Sequence, residues 1–228
     1  MDVTSTDNEP QLARERERVA VASRRLAEAG LVLGTAGNVS ERSGDLVAIT
    51  PTGAELAEVG AEDVAVIDLD GMQVGGSLAP TSELDLHLGI YRRHGAGAVV
   101  HTHSPMATAL SCVVDEVPCV HYGMLMLGGA VPVAPYRTFG TPELAETVVE
   151  SLEGRTAVLM ANHGAVTHAG DVGQAVELSL LLEWACTVYW HARALGKPHA
   201  LDGDEQQAVI TAALDQGYGE TKPVKGRP

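Results

Sequence analysis

The 228-residue sequence predicts an α/β protein built on a mixed sheet, and three observations carry that reading. Helical and extended patterns alternate along the chain. Several neighbouring extended segments are joined by tight turns rather than helices, so the sheet is largely antiparallel instead of purely parallel. No repeat or linker breaks the pattern, which leaves residues 1–228 as one domain, with disordered tails expected at 1–10 and 219–228.

The elements follow in order. Pro10 suits the first turn of a helix, and QLARERERVAVASRRLAEAG places Leu12, Val19, Ala22 and Leu26 on one stripe before Gly30 ends it. LVLGTAGNVS reads as a Gly-rich turn, DLVAIT as a strand and TPTG as a tight turn. VAVIDLDG runs into an Asp-Gly turn, which predicts a hairpin with MQVGG. APTSELDLHLGIYRRH opens on Pro-Thr-Ser and continues as a helix carrying Leu84, Leu88 and Tyr91 on one face. GAVVHTH is a β-branched strand, and SPMATALSCV a helix begun by Ser104-Pro105. VPCVHYGMLMLGG and AVPVAPYRTFGT read as short mixed elements. Thr141 caps the next helix with Pro142 just inside it. TAVLMANHGAVTHAG forms a hairpin around Asn-His-Gly. Two helices close the chain, one from Asp171 to Gly196 and one over DGDEQQAVITAALDQGY.

Composition narrows the function classes. A formal charge of −15 offers no cationic track on which nucleic acid or an anionic membrane could release counterions. An anionic ligand must therefore be held locally, by dipoles or a metal. Cys112, Cys119 and Cys186 are an odd set without a CxxC pair and read as inert thiols in a reducing cytoplasm. The polar, acidic start is unlike a signal peptide, and charges interrupt every apolar run before it reaches membrane length.

Chemistry concentrates in three places. His101 and His103 sit two apart at the end of a strand, where residues i and i+2 share a face and both imidazoles can reach one ion. Three neutral imidazoles with an open fourth position mark a catalytic zinc site, whereas two satisfied surface histidines are the plainer reading. By spacing alone His163 competes with His87, His94, His121, His168, His191 and His199 for the third place. Second, the turns 34–38, 50–53 and 80–83 each offer backbone N–H groups with hydroxyl or amide donors, the ingredients of an anion nest. Ser82 would equally serve as a helix cap. Third, Glu83 is a candidate base, although a Glu in a first helical turn is also favoured by the helix dipole.

Taken together, GTAGNVS, ITPTG, Ser-Glu opening a helix, HTH, VHYGMLMLGG, PYRTFGT and NHG resemble the class II aldolase and epimerase family in order and spacing, from about Ala13 to the last helix. The resemblance implies a three-layer α/β/α fold, assembled as a homotetramer with active sites between subunits. It implies zinc on His101, His103 and His163, with Glu83 as base and resting fourth ligand. Gly37, Asn38, Thr52, Gly53, Thr81 and Ser82 would bind phosphate through neutral donors, without Lys or Arg. Tyr122 of an adjacent subunit would be the acid, and Phe139 and Tyr218 would orient substrate. The reaction implied is cleavage of a ketose 1-phosphate of the fuculose 1-phosphate type to dihydroxyacetone phosphate and a small aldehyde, in the cytoplasm. Dehydratases, 4-epimerases and decarboxylases share the metal site, and cytoskeletal adaptor heads share the fold without its ligands. Glu rather than Asp at position 83 favours aldolase over epimerase. Thr81 stands where the family pattern has Ser, and the stretch after Gly129 is one residue shorter, close to the loop that carries Phe139.

Overall fold

The computed structural model describes residues 12–216. The elements run α1 (Ala13–Glu28), β1 (Asn38–Ser43), β2 (Leu46–Ile49), β3 (Ala65–Asp68), β4 (Gln73–Gly75), α2 (Leu84–His94), β5 (Ala98–Thr102) and α3 (Pro105–Ser111). There follow β6 (Glu116–Val117), a 3₁₀ helix (Tyr122–Leu127), β7 (Val131–Ala134), α4 (Pro142–Ser151), β8 (Ala157–Met160), β9 (Gly164–Ala169), α5 (Val172–Leu195) and α6 (Gly203–Gln216). The strands form a nine-stranded sheet in the order β4-β3-β2-β1-β5-β9-β8-β7-β6. Every neighbouring pair is antiparallel except β7 with β8.

Strand alternation builds the layers. Val47, Ile49, Val99, Val158, Met160 and Val166 pack with α2 and α4 on one face. Their neighbours Ala48, Ala98 and Val100 pack with α1 and α5 on the other, and Ala157, Leu159 and Ala165 pack there with α3, α5 and the 3₁₀ helix. With both faces covered, the arrangement is the expected three-layer α/β/α sandwich around a mixed sheet.

Local signals explain most boundaries. The α1 stripe buries Val19, Ala22 and Leu26, and Gly30 N–H to Ala27 O with Leu31 N–H to Leu26 O closes the helix by a Schellman motif. Thr141 accepts from Leu144 N–H at the start of α4, and Asp171 accepts from Gln174 N–H at the start of α5. Two readings need correction. NVS, read as the end of a Gly-rich turn, instead opens the central strand β1 (NVSERS), with Asn38, Ser40 and Glu41 buried in place of apolar residues. Ser82 does not cap α2, whose N-cap position is Glu83 and has no side-chain cap bond. Pro10 and the expected tails at 1–10 and 219–228 lie outside the described residues.

Candidate active site

The site sits where the adjacent central strands β1 and β5 meet the N-terminus of α2. In the register of β1 against β5, Asn38 pairs with His101 and Ser40 with Val99, so all four side chains share the face that carries α2. His101 ends up completely buried. His103, just past β5, shares that face at the open rim. His163 arrives from the β8–β9 hairpin, whose register pairs Met160 with Gly164 around Ala161, Asn162 and His163. The tight turn needs a left-handed residue, and Asn162 takes φ 56°, a conformation Asn tolerates better than most. Gly164 is fixed by proximity: a Cβ there would lie 2.3 Å from Thr102 O and 3.3 Å from the rings of both His101 and His103.

The three imidazoles converge. Their ligand atoms all lie within 4.8 Å of one another, and His101 Nε2 is 2.9 Å from His103 Nε2. Glu83 completes the group, with Oε2 3.2 Å from His101 Nε2 and Oε1 3.5 Å from His163 Nε2. Glu83 Oε1 is buried without a hydrogen-bond partner, an arrangement that is costly unless a cation supplies one. His101 Nδ1 lies 3.0 Å from Ala165 O and donates its proton there, which leaves Nε2 as the coordinating atom when the ring is neutral. Three imidazole nitrogens beside a carboxylate make a donor set suited to zinc. The residues fit a metal.

Electrostatics agree with that fit. Burial alone would raise the Glu83 pKa, but His101, the Asn38 amide and His163 outweigh it and hold the carboxyl well below the usual carboxylate range. Burial disfavours a His101 cation, yet the adjoining Glu83 charge prevails and its pKa is raised. His103 and His163 are lowered to about 4, by burial first and then by the charge on His101. Two of the candidate ligands thus favour the neutral form that binds a metal, and the raised His101 pKa marks the ring whose proton a metal would compete with.

Beside this group lies a cavity of about 370 Å³ lined by Gly37, Asn38, Thr52, Gly53, Thr81, Ser82, Glu83, His103, Phe139 and His163, among others. The three turns read as possible anion nests therefore do converge. Two backbone bonds tie the turns at 50–53 and 80–83: Thr52 N–H to Ala79 O and Thr81 N–H to Thr50 O, flanking a Pro51–Pro80 bridge. Gly37 backs onto β5 so closely that a Cβ would lie 2.8 Å from His101 O, and its φ of +87° also excludes other residues. The Thr81 hydroxyl accepts from Glu83 N–H at 3.3 Å, and its own proton remains able to reach a ligand.

One expected residue is placed elsewhere. Tyr122 does not line the cavity; it opens the 3₁₀ helix, 43% exposed, with its ring against His121. Tyr218 lies outside the described residues. The sequence reading missed Tyr136, Arg137 and Asn162 in the lining. Arg137 adds a cationic residue to a lining expected to offer neutral donors alone; it comes from the loop between β7 and α4. The signal was in PYRTFGT, where Arg is the one cation of the motif. His87, weighed from the sequence only as a competing metal ligand, is instead fully buried one turn beyond Glu83 and joined to Asn38 and Ser40.

Known proteins share this architecture. The sequence model of the class II aldolase and adducin N-terminal domain family matches residues 17–190. This chain belongs to that family. It is an enzyme of the metal-dependent aldehyde-lyase class. Among class II aldolase relatives, the 5-deoxy-D-ribulose 1-phosphate aldolase of Bacillus thuringiensis serovar kurstaki is 39% identical over 92% of this chain and 99% of its own length. The 5-methylthioribulose-1-phosphate/5-deoxyribulose-1-phosphate aldolase of Rhodospirillum rubrum is 37% identical over 91% of this chain and 93% of its own. A solved L-fuculose 1-phosphate aldolase superposes with a TM-score of 0.86 at 32% identity, covering 91% of this chain and all of the other. Among the described residues, no helix is long and apolar enough to cross a membrane.

Proposed function

We propose that this class II aldolase is zinc-dependent and reversibly cleaves a ketose 1-phosphate to dihydroxyacetone phosphate and a small aldehyde. The observation that carries the reading is the adjacency of the His101–His103–His163–Glu83 group to a cavity walled by the Thr52-Gly53 and Thr81-Ser82 loops. One phosphorylated three-carbon unit can then reach both at once. Relatives named for 5-deoxyribulose 1-phosphate and fuculose phosphate suggest an aldehyde half with an apolar end.

Zinc held by His101, His103 and His163 would supply Lewis-acid stabilisation of charge on the oxygens of the dihydroxyacetone phosphate half. The rest of the work falls to this chain's residues. Backbone N–H groups and hydroxyls of 52–53 and 81–82, together with Gly37, Asn38 and the Arg137 guanidinium, fix the phosphate and so orient the three-carbon unit. In the condensation direction Glu83 takes the proton from the hydroxymethyl carbon, and a carboxylate at the wall of the cavity has the reach for it. Tyr122, supplied by a neighbouring subunit, donates to the aldehyde oxygen as it becomes an alkoxide, while Phe139 and Tyr218 enclose that end. A homotetramer fits the exposed apolar side chains Met126, Trp184, Trp190 and Leu214, which a subunit contact would cover. We place the enzyme in the cytoplasm, as one domain over residues 1–228.

Incubation of the purified protein with dihydroxyacetone phosphate and a panel of small aldehydes tests the reading. Ketose 1-phosphate formation, abolished by a chelator and restored by zinc, is the expected result. Zinc-loaded protein that forms no product with any aldehyde would contradict it.

A further inference from the structure

Behind Glu83 the structure holds a continuous buried hydrogen-bond chain that runs away from the cavity. Asn38 Nδ2 lies 2.9 Å from Glu83 Oε2, and Asn38 Oδ1 lies 2.5 Å from His87 Nε2. His87 Nδ1 lies 2.6 Å from Ser40 Oγ, which lies 2.6 Å from Tyr91 Oη. Glu83, His87 and Tyr91 are spaced four apart on α2 and form one stripe, and Asn38 and Ser40 are the facing positions of β1. Glu83 is 7% exposed, Asn38 5%, Tyr91 1%, and His87 and Ser40 0%. None of the four residues behind Glu83 is a metal ligand.

The direction of each bond follows from the carboxylate end. An ionised Glu83 can only accept, so Asn38 turns its N–H₂ toward it and its carbonyl toward His87. His87 must then carry its proton on Nε2, which leaves Nδ1 to accept from the Ser40 hydroxyl. Ser40 in turn accepts from Tyr91. Burial keeps His87 uncharged, its pKa lowered to about 3, and raises the Tyr91 pKa, so neither group interrupts the pattern by ionising. Every donor therefore points at Glu83 Oε2, and bonds aligned in this way polarise one another.

We infer that His87 is a positioning residue for the reaction: through Asn38, and backed by Ser40 and Tyr91, it locks the Glu83 carboxylate so that Oε2 is held from behind and Oε1 stays free to face metal and substrate. The inference rests on Glu83 acting as proposed above. Loss of His87 leaves the three imidazoles and the 52–53, 81–82 and Arg137 phosphate contacts in place but lets the carboxylate swing. The effect falls on kcat rather than on KM or metal content.

Two measurements decide it. Long-range ¹H–¹⁵N correlation on the unmodified protein reads the His87 tautomer without any substrate. The Nε2–H form is expected, and an Nδ1–H form would reverse the chain and overturn the proposal. Kinetics of His87→Gln and His87→Leu follow. Leu is expected to lower kcat about 10- to 100-fold, the usual cost of losing a partner behind a metal-site group, with KM and bound zinc unchanged. Gln restores a donor toward Asn38 and should recover most of that loss. Equal kcat in His87→Leu and wild type, or a His87→Leu loss confined to metal content, would overturn it. Should His87→Leu fail to fold, Tyr91→Phe keeps the ring and removes the distal donor, and a fall in kcat at constant KM is expected; an unchanged kcat would count against the chain. Inactive wild-type protein would refute the aldolase reading while the tautomer still decided the relay.

Discussion

The two halves of the candidate site are held in opposite ways. The half that carries His101, His163 and Glu83 is gripped inside one chain, by strand register, a tight hairpin and a buried chain of hydrogen bonds. The half that carries Tyr122 and Phe139 stands at the surface, with those rings 43% and 67% exposed, and only Phe139 reaches the cavity. Helix α6 belongs with the second half: none of its residues is buried, and it leans on the 3₁₀ helix that Tyr122 opens. On the proposed reading, the difference means that metal and phosphate chemistry is encoded within the subunit. Recognition of the aldehyde is, on the same reading, left to surfaces that a neighbouring subunit would complete.

Breaking the inner half should cost most. His103→Ala removes one of three imidazoles and is expected to lose bound zinc by elemental analysis, with activity down on the order of a thousandfold, roughly 4 kcal/mol of transition-state stabilisation. Full zinc occupancy in that variant would remove His103 from the ligand set. Tyr122→Phe probes the outer half. It should slow cleavage by about a hundredfold, within the range of a general acid, with zinc retained. Mixing it with an inactive His103→Ala protein should restore activity in hybrid oligomers, because the two lesions would then fall on different subunits.

Acid should also separate the halves. The pKa values of His87, His103 and His163 are lowered in the folded metal-free protein, to about 3, 4 and 4. Below about pH 6.5 the unfolded chain takes up protons that these buried rings refuse. Their contribution is therefore complete above pH 6.5 and is lost as pH falls toward those folded values, by about 1.4 kcal/mol per pH unit for each proton of difference. His101, raised by Glu83, acts in the opposite sense over its own range. Thermal unfolding of the metal-free protein from pH 7 to pH 4 should show a steep loss of stability, shallower in His87→Gln, which removes one of the three rings. Identical slopes in the two proteins would contradict the buried neutral state of His87. The smallest effect belongs to the cavity rim. Arg137→Ala should raise KM for dihydroxyacetone phosphate only a few-fold, since an exposed ionic contact contributes about 0.2–1 kcal/mol, and the rise should fade in high salt.

Much of this was legible in the sequence, and what was not had a physical reason. HTH on a β-branched strand and NHG in a hairpin turn were legible as elements and both form as read, whereas His163 was singled out as the third imidazole by the family resemblance and not by spacing. The element pattern marked both faces of the sheet and the long helix Val172–Leu195. Strand β1 escaped because NVSERS carries Asn38, Ser40 and Glu41 inward, so no hydrophobic alternation announces it. Those polar residues are buried because Glu83, His87 and Arg18 partner them, and local rules fail most readily where function has a claim on the residues. For the same reason His87 read as one more histidine: its meaning lies in a register across β1 that only the fold supplies. The convergence of the turns at 50–53 and 80–83 depended on a Pro51–Pro80 bridge that no spacing rule predicts.

The central claim is that the inner half alone activates dihydroxyacetone phosphate, and one measurement tests it before any aldehyde is chosen. Zinc-loaded protein is incubated with dihydroxyacetone phosphate in deuterated water, and exchange of one hydroxymethyl proton is followed by NMR. The account predicts exchange that stops with a chelator, is lost in Glu83→Gln and survives in Tyr122→Phe. Absence of exchange from fully zinc-loaded wild-type protein, or exchange undiminished in Glu83→Gln, would contradict it.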